Sequence, residues 1–347
     1  MMNIATMKSV VAILFFLFML SACGGKEDGS IATAPEVASI PLAYHSHSFY
    51  KDFAHLDTNN LAAGLRQLAG KYPGFSNFYL DTIAGFNISG HYDADNHMLR
   101  DFLTLKDFRH LLDTVDMAFP DTKKYDDWLR QSFKLVKYYR VPLELPENVY
   151  YFVSYLNGMT AVIQNKTNIG VGLDMFLGRD FMPYKQVSIP DYATIRFTDS
   201  NIPIWVNMAL YQDAYPFEPE NKTLQTLMIE KGKELYFLEK VCPFLPPELK
   251  FGFTPEQYKW CGQNEALIYN FFLQQNLLFE KNMQKIMRFV IDGATSAGMP
   301  AESPGNVGSY IGYKIVKAYA DNNGADLKTL LQEKDMDKIM RGANYKP

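Results

Sequence analysis

Apolar side chains recur every three or four residues through the first third of the chain, which is the pattern of amphipathic helices. Leu61, Leu65 and Leu68 show this spacing, and Pro73 follows them. Because proline cannot continue a helix, the helix is expected to end just before it. The same pattern predicts helices over residues 59–71, 75–86, 99–119 and 123–139.

The spacing changes near residue 149. Three runs rich in β-branched and aromatic residues follow, over 149–156, 159–164 and 169–176. Asn157-Gly158 and the polar stretch 165–168 separate the runs, and both have the composition of turns. The sequence therefore predicts a small antiparallel sheet of two to four strands.

Helical spacing returns beyond Pro190 and predicts helices over residues 203–215, 223–240, 254–275, 307–322 and 325–341. Thr254 and Gln257 stand in the order of a capping box, in which each side chain accepts a hydrogen bond from the other's backbone. Gly308 and Gly312 share one helix face, where the lack of side chains allows another helix to approach closely. The complete pattern predicts an α+β fold: a single, mostly helical domain with a small sheet.

The amino-terminal pattern is different. Lys8 leads into an apolar run over residues 10–20, which is shorter than the about 20 residues that cross a bilayer. A basic start, a short apolar core and small residues after it are typical of a secretory signal peptide. The run ends in the sequence LSAC at Cys23, which resembles a bacterial lipobox. We therefore expect residues 1–22 to be removed and Cys23 to be lipidated, so that the protein is anchored to a membrane.

Small and polar residues dominate the next segment, so residues 23–43 are predicted to form a flexible tether and residues 44–347 the folded domain. Lys26-Glu27-Asp28 resembles the charged tripeptide of surface-exported lipoproteins in the Bacteroidota. A solvated tether accounts for the same residues, and the sequence leaves both readings open. The expected location is the cell envelope, at the periplasmic face or outer surface of the outer membrane.

Composition narrows the classes of function. The 347 residues include 34 Lys and Arg against 38 Asp and Glu, a net charge of −4 that argues against a nucleic-acid partner. A hydrophobic content of 48% supplies material for a large core. Cys242 and Cys261 remain once Cys23 is assigned. Outside the cytoplasm they are compatible with a disulfide, and equally with two buried thiols.

Motifs for catalysis are missing from the sequence. The six histidines all lie at or before residue 110, and no two are four residues apart, which excludes the zinc-binding motif HExxH. No G-x-S-x-G marks a serine nucleophile. Gly170-Val171-Gly172 lacks the third glycine of a dinucleotide-binding loop. We expect no catalytic set, no bound metal and no cofactor, with an unrecognised hydrolase as the alternative.

Several segments taken together resemble the GldB gliding-motility lipoproteins of the Bacteroidota. Besides the lipobox they are KYPGFSNFYLDTIAGF from Lys71, GVGLDMFLGRDF from Gly170, FTPEQYKWCGQNEALIYNFF from Phe253, ESPGNVGSYIGYKIVKAYADNN from Glu302 and KIMRGANYKP from Lys338. The resemblance implies an envelope lipoprotein without enzymatic activity. Its expected partners are the proteins of gliding motility or of the type IX protein secretion system.

The order of elements also resembles zincin-type metallopeptidase domains, in which a small sheet precedes the HExxH helix. The corresponding helix here reads IPIWVNMALYQDAY from Ile202 and offers no imidazole. The resemblance implies a zincin-like scaffold without its metal, whose remaining cleft suits a peptide or a glycan. The residues expected to line that cleft are Trp205, Tyr211, Glu230, Glu234, Tyr236 and Trp260, with Glu230 or Glu234 at the place of a glutamate ligand.

Overall fold

Helices dominate the computed structural model, which describes residues 34–93 and 96–347. The predicted signal peptide, Cys23 and the charged tripeptide lie outside the described residues. Within residues 34–347 the chain forms one compact unit. No helix in the described part of the chain is both long and apolar enough to cross a bilayer.

Six α-helices of the described chain precede the main part of the sheet: α1 Phe49–Ala54, α2 Leu61–Lys71, α3 Phe75–Phe78, α4 His97–Thr104, α5 Lys106–Ala118 and α6 Lys123–Tyr138. The others follow the sheet: α7 Pro183–Gln186, α8 Asp191–Thr194, α9 Ile202–Ala214, α10 Leu224–Val241, α11 Pro247–Phe251, α12 Pro255–Gln263, α13 Glu265–Gln274, α14 Met283–Ile286, α15 Val307–Asn323, α16 Leu327–Gln332 and α17 Met336–Ala343. The helical part of the fold prediction is confirmed.

Three predicted helices are broken in the structure. The prediction over 99–119 divides at Leu105, whose ψ of 128° is extended. The prediction over 254–275 divides at Asn264, whose side chain donates a hydrogen bond to the Trp260 carbonyl. The prediction over 325–341 divides at Glu333, and Asp335 then caps the next helix. Apolar spacing continues across each break, so the pattern alone did not reveal them.

The sheet has four strands in the order β1-β2-β4-β3, comprising β1 His45–His47, β2 Asn148–Phe152, β3 Ala161–Asn165 and β4 Asn168–Gly172. Only β3 and β4 pair antiparallel, whereas β2 runs parallel to both β1 and β4. The antiparallel prediction is therefore wrong for two of the three pairs. The pattern of residue types identifies strands but not which strands pair with each other. After β2 the chain first forms β3 at the edge of the sheet, and the β3–β4 hairpin then places β4 between β2 and β3.

The predicted tether is too long at its carboxyl end. Val37 is buried, and Lys134 and Lys137 of α6 donate hydrogen bonds to the carbonyls of Ala38 and Pro41 at 2.6 Å and 2.7 Å. These contacts hold the segment before β1 against the domain. For residues 34–43 the prediction of a flexible tether is wrong, because an apolar anchor and two lysine ammonium groups fix the backbone.

The core is formed by two apolar clusters. The sheet cluster joins the strands to α1–α6, and the helix cluster surrounds α10 and α15. Gly312 of α15 lies directly against α10, where a Cβ atom would stand 1.7 Å from the Met228 carbonyl oxygen. This contact confirms the prediction for Gly312. Gly308 meets the Phe289 carbonyl and Met228 in the same way, so both glycines serve close approach.

The predicted capping box is also confirmed. The Gln257 backbone N–H donates to Thr254 Oγ1 at 3.2 Å, and the Thr254 backbone N–H donates to Gln257 Oε1 at 2.9 Å. Such reciprocal bonds satisfy two of the amide groups that a helix start leaves open.

Candidate functional site

A groove of about 780 Å³ opens where the end of α9, the segment after it, α10 and the turn between α16 and α17 meet. We call it the outer groove. Its volume falls in the range of small-molecule and peptide-side-chain pockets, roughly 300–1,000 Å³. The groove is lined by aromatic rings on one side and by a row of charged side chains from α10 on the other.

The aromatic wall consists of Tyr211, Tyr215 and Phe217. Tyr211 lies in the last turn of α9, and Tyr215 is the residue directly after this helix. Their ring centroids are 5.0 Å apart, and Phe237 packs against Tyr211 from the core at 5.3 Å. The Tyr215 hydroxyl is buried and has no hydrogen-bond partner in the described structure. This wall therefore offers flat apolar area to the groove.

The charged wall begins with two ion pairs. Lys222 pairs with Glu230 at 2.7 Å, and Lys231 pairs with Glu234 at 2.8 Å. Gln212 donates a further hydrogen bond to Glu234 Oε1 at 2.7 Å. Because these charges are partly shielded from water, each pair is stronger than an exposed pair would be.

Lys233 is the most buried cation of the groove. Burial lowers the pKa of its ammonium group to about 8, because desolvation penalises the charged form, while the carboxylates of Glu230 and Glu333 oppose the shift. The ammonium donates to the backbone carbonyl of Glu333 and so fixes the turn after α16 to α10. Glu230 keeps one carboxylate oxygen, Oε2, without a partner among the described residues.

Three of the six predicted cleft residues line the outer groove: Tyr211, Glu230 and Glu234. Trp205 lies about two helical turns before Gln212 of α9, and Tyr236 lies on α10 beyond Glu234, the last groove-lining residue of that helix. Neither residue lines the outer groove.

The structure shows where the remaining predicted side chains lie. Trp205 donates its indole N–H to the Arg196 carbonyl at 3.4 Å and packs on the sheet cluster. Tyr236 is buried in the helix cluster, with Lys240 over its ring. Trp260 belongs to α12 and packs on the helix cluster outside the groove. Trp260 therefore does not line the outer groove either.

The outer groove also contains residues that the sequence analysis does not predict. Tyr215 and Lys233 were detectable, since they lie four and three residues from predicted members along the chain. Phe217 follows the end of α9, and the turn from Leu331 to Met336 is distant in sequence. No local pattern connects those two segments to the groove.

Cys242 and Cys261 are two separate buried thiols, so the disulfide alternative is not realised. The Cys242 sulfur faces α9, where Asn207 Nδ2 lies at 3.7 Å and the Pro203 carbonyl at 4.0 Å. Burial raises the pKa of both thiols to about 12. Across residues 34–93 and 96–347, no three His, Cys, Asp or Glu side chains come together as metal ligands.

The fold is a mostly helical α+β domain, and its outer groove is lined by aromatic and charged side chains. The family whose sequence profile matches residues 31–347 is described as gliding motility protein GldB, and the chain belongs to this family of gliding-motility lipoproteins. No curated protein and no solved structure matches the chain. The resemblance to zincin-type domains therefore stays a prediction.

Proposed function

We propose that this protein is a non-enzymatic lipoprotein of the outer membrane that supports gliding motility, or the associated type IX protein secretion, through contacts with other envelope proteins. Membership of the GldB family supports the motility role. The lipobox supports attachment through Cys23. The outer groove is the observation that carries the proposal, because it supplies a defined surface for such contacts.

The charge balance of the outer groove favours a polypeptide segment as its occupant. Four lysines line it, Lys222, Lys231, Lys233 and Lys334, together with four glutamates, Glu218, Glu230, Glu234 and Glu333. A surface of balanced sign has no net attraction for a polyanion, whereas it offers both donors and acceptors to a peptide backbone. The aromatic wall can hold an apolar anchor side chain, as aromatic residues do at the centres of protein interfaces.

Site-specific photocrosslinking in living cells tests this proposal. A photoreactive amino acid replaces Lys334, an exposed residue at the outer groove. A matched variant carries it at Lys106, an exposed lysine of α5 that does not line the groove. We expect position 334 to crosslink an identified motility or secretion protein and position 106 to give no such product. Equal products at both positions, or no envelope protein at position 334 in repeated trials, would contradict the proposal.

A further inference from the structure

A second cavity, of about 160 Å³, lies on the far side of Lys231 and Glu234, which line both it and the outer groove. We call it the inner cavity. Its other polar lining residues are Arg196, Lys250, Asp292, Asn306 and Ser309. A water molecule needs only about 10–15 Å³ of such volume, so the inner cavity has room for a small organic group.

Arg196 is the most constrained of these side chains. Its Nε donates to Asp292 Oδ2 at 2.7 Å, and its Nη2 donates to Asp292 Oδ1 at 3.2 Å and to the Phe251 carbonyl at 2.9 Å. The residue is only 5% exposed, yet Nη1 has no partner among the described residues. A buried charged donor without an acceptor lowers the free energy of unfolding. An unpaired Nη1 therefore indicates a site at which an acceptor binds.

Gly252 leaves the space that the Arg196 guanidinium group occupies. Its φ of +70° favours glycine, and a Cβ atom there would lie 2.3 Å from Arg196 Nε. Any other residue at this position would displace the guanidinium group. The donor is therefore preorganised and loses little conformational freedom when it binds.

Lys250 adds a buried positive charge, which the carboxylates of Glu239 and Glu248 stabilise from beyond ion-pair distance. It is 5% exposed, and its ammonium donates to the Leu245 and Pro246 carbonyls at 2.8 Å and 3.4 Å. Within the described chain it forms no ion pair, in contrast to Arg196 with Asp292 and Lys231 with Glu234. Burial lowers the pKa of this ammonium group. Among the side chains that line the inner cavity, three cations stand against two carboxylates, although buried charges are normally paired.

The amino terminus of α15 adds positive electrostatic potential at the inner cavity. Asn306 precedes this helix, but its side chain donates to Asp292 Oδ1 at 3.1 Å and does not cap the helix. The partial positive charge of the first turn is thus not offset by a capping oxygen from Asn306. Helix start, Arg196 and Lys250 all favour a bound anion.

We propose that the inner cavity binds a carboxylate group, with Arg196 Nη1 and the Lys250 ammonium as its donors. A carboxylate is a monovalent anion with two acceptor oxygens, so it offsets the excess of positive lining charge and supplies the acceptor that Arg196 Nη1 lacks. Guanidinium groups match its planar shape. The group belongs either to a small free acid or to the carboxyl terminus of a peptide. This inference is independent of what the outer groove binds.

Calorimetric titration of the full chain in detergent micelles tests the inference. Sodium acetate is titrated against sodium chloride at equal ionic strength, and the tripeptide Ala-Ala-Ala is compared with its carboxyl-terminal amide. We expect acetate to bind and chloride not to bind. Lys250→Met, which keeps most of the volume and removes the charge, should weaken acetate binding at least tenfold. Lys240→Met, at a partly exposed lysine of α10, should leave it unchanged.

The two sources of the carboxylate give different results. Tripeptide binding tighter than acetate, with no binding of the amide, supports a peptide end. Acetate binding at least as tight as the tripeptide supports a free acid. If Lys250→Met does not fold, Arg196→Lys retains the charge without Nη1 and should weaken acetate binding to a similar extent. Equal binding of acetate and chloride, or native affinity in the folded variant, would overturn the inference.

Discussion

Gly312→Ala should lower the free energy of unfolding by about 3 kcal/mol, at the upper end of overpacking effects. The added Cβ would lie 1.7 Å from the Met228 carbonyl oxygen, and the obstacle is backbone, which cannot rotate aside. Gly232 of α10 faces Gly312 across the same crossing, so no space is available on either helix. The added methyl group therefore pushes the two helices apart. Urea unfolding measures the resulting decrease in the free energy of unfolding.

Gly70→Ala is the matched control for this prediction. Gly70 also lies in a helix, α2, but a Cβ atom there would meet no atom within 4 Å. The substitution should therefore raise the free energy of unfolding by up to about 1 kcal/mol through the better helix propensity of alanine. Similar destabilisation by both substitutions would show that propensity, and not the helix crossing, explains the result for Gly312.

A buried carboxylate connects β1 to the rest of the domain. Asp126 of α6 accepts hydrogen bonds from the hydroxyl groups of Tyr44 and Tyr151, both at 2.8 Å, through Oδ1. Its Oδ2 accepts from Ser46 at 2.9 Å and Thr122 at 3.0 Å. One residue thus satisfies four hydroxyl groups from three segments: the chain at β1, the start of α6, and β2.

Asp126→Ala should lower the free energy of unfolding by about 3 kcal/mol, because it leaves buried hydroxyl groups unpaired. Asp126→Asn keeps the shape of the side chain and one acceptor oxygen, so it should lower the free energy of unfolding by less. Thermal and urea unfolding of both variants check the order. The neighbouring Asp127, paired on the surface with Lys123, provides the control, and Asp127→Ala should leave stability unchanged within error. Equal effects at positions 126 and 127 would refute the role of the buried carboxylate.

Local features of this fold were predictable from the sequence. The capping box at Thr254 and the close approach at Gly312 follow from residue type and spacing, which act over one or two helical turns. The breaks at Leu105 and Asn264 were not predictable, because the apolar spacing continues through them. Strand β1 is only three residues long, and its parallel partner is about a hundred residues away. Such pairing depends on tertiary contacts.

The residues of the candidate site were likewise only partly predictable from the sequence. The prediction of Tyr211, Glu230 and Glu234 rests on the resemblance to zincin-type domains, and these residues lie on α9 and α10, whose side chains line the groove. Trp205 and Tyr236 lie on the same two helices but outside the groove, and residue type alone does not show where along a helix the groove ends. The inner cavity has no sequence signal, because Arg196, Lys250 and Asp292 come from three separate loops and short helices.

The most direct test of the proposed function is complementation of a deletion strain, scored for gliding and for type IX secretion. The test variant exchanges the groove ion pair, as Lys222→Glu with Glu230→Lys, which retains the pair and reverses the charges that a partner meets. The control exchanges an exposed pair outside the groove, as Lys166→Glu with Glu144→Lys. At equal protein levels, we expect the control to restore the lost process and the groove variant to fail. Full restoration by the groove variant would contradict a role for the outer groove in partner contact.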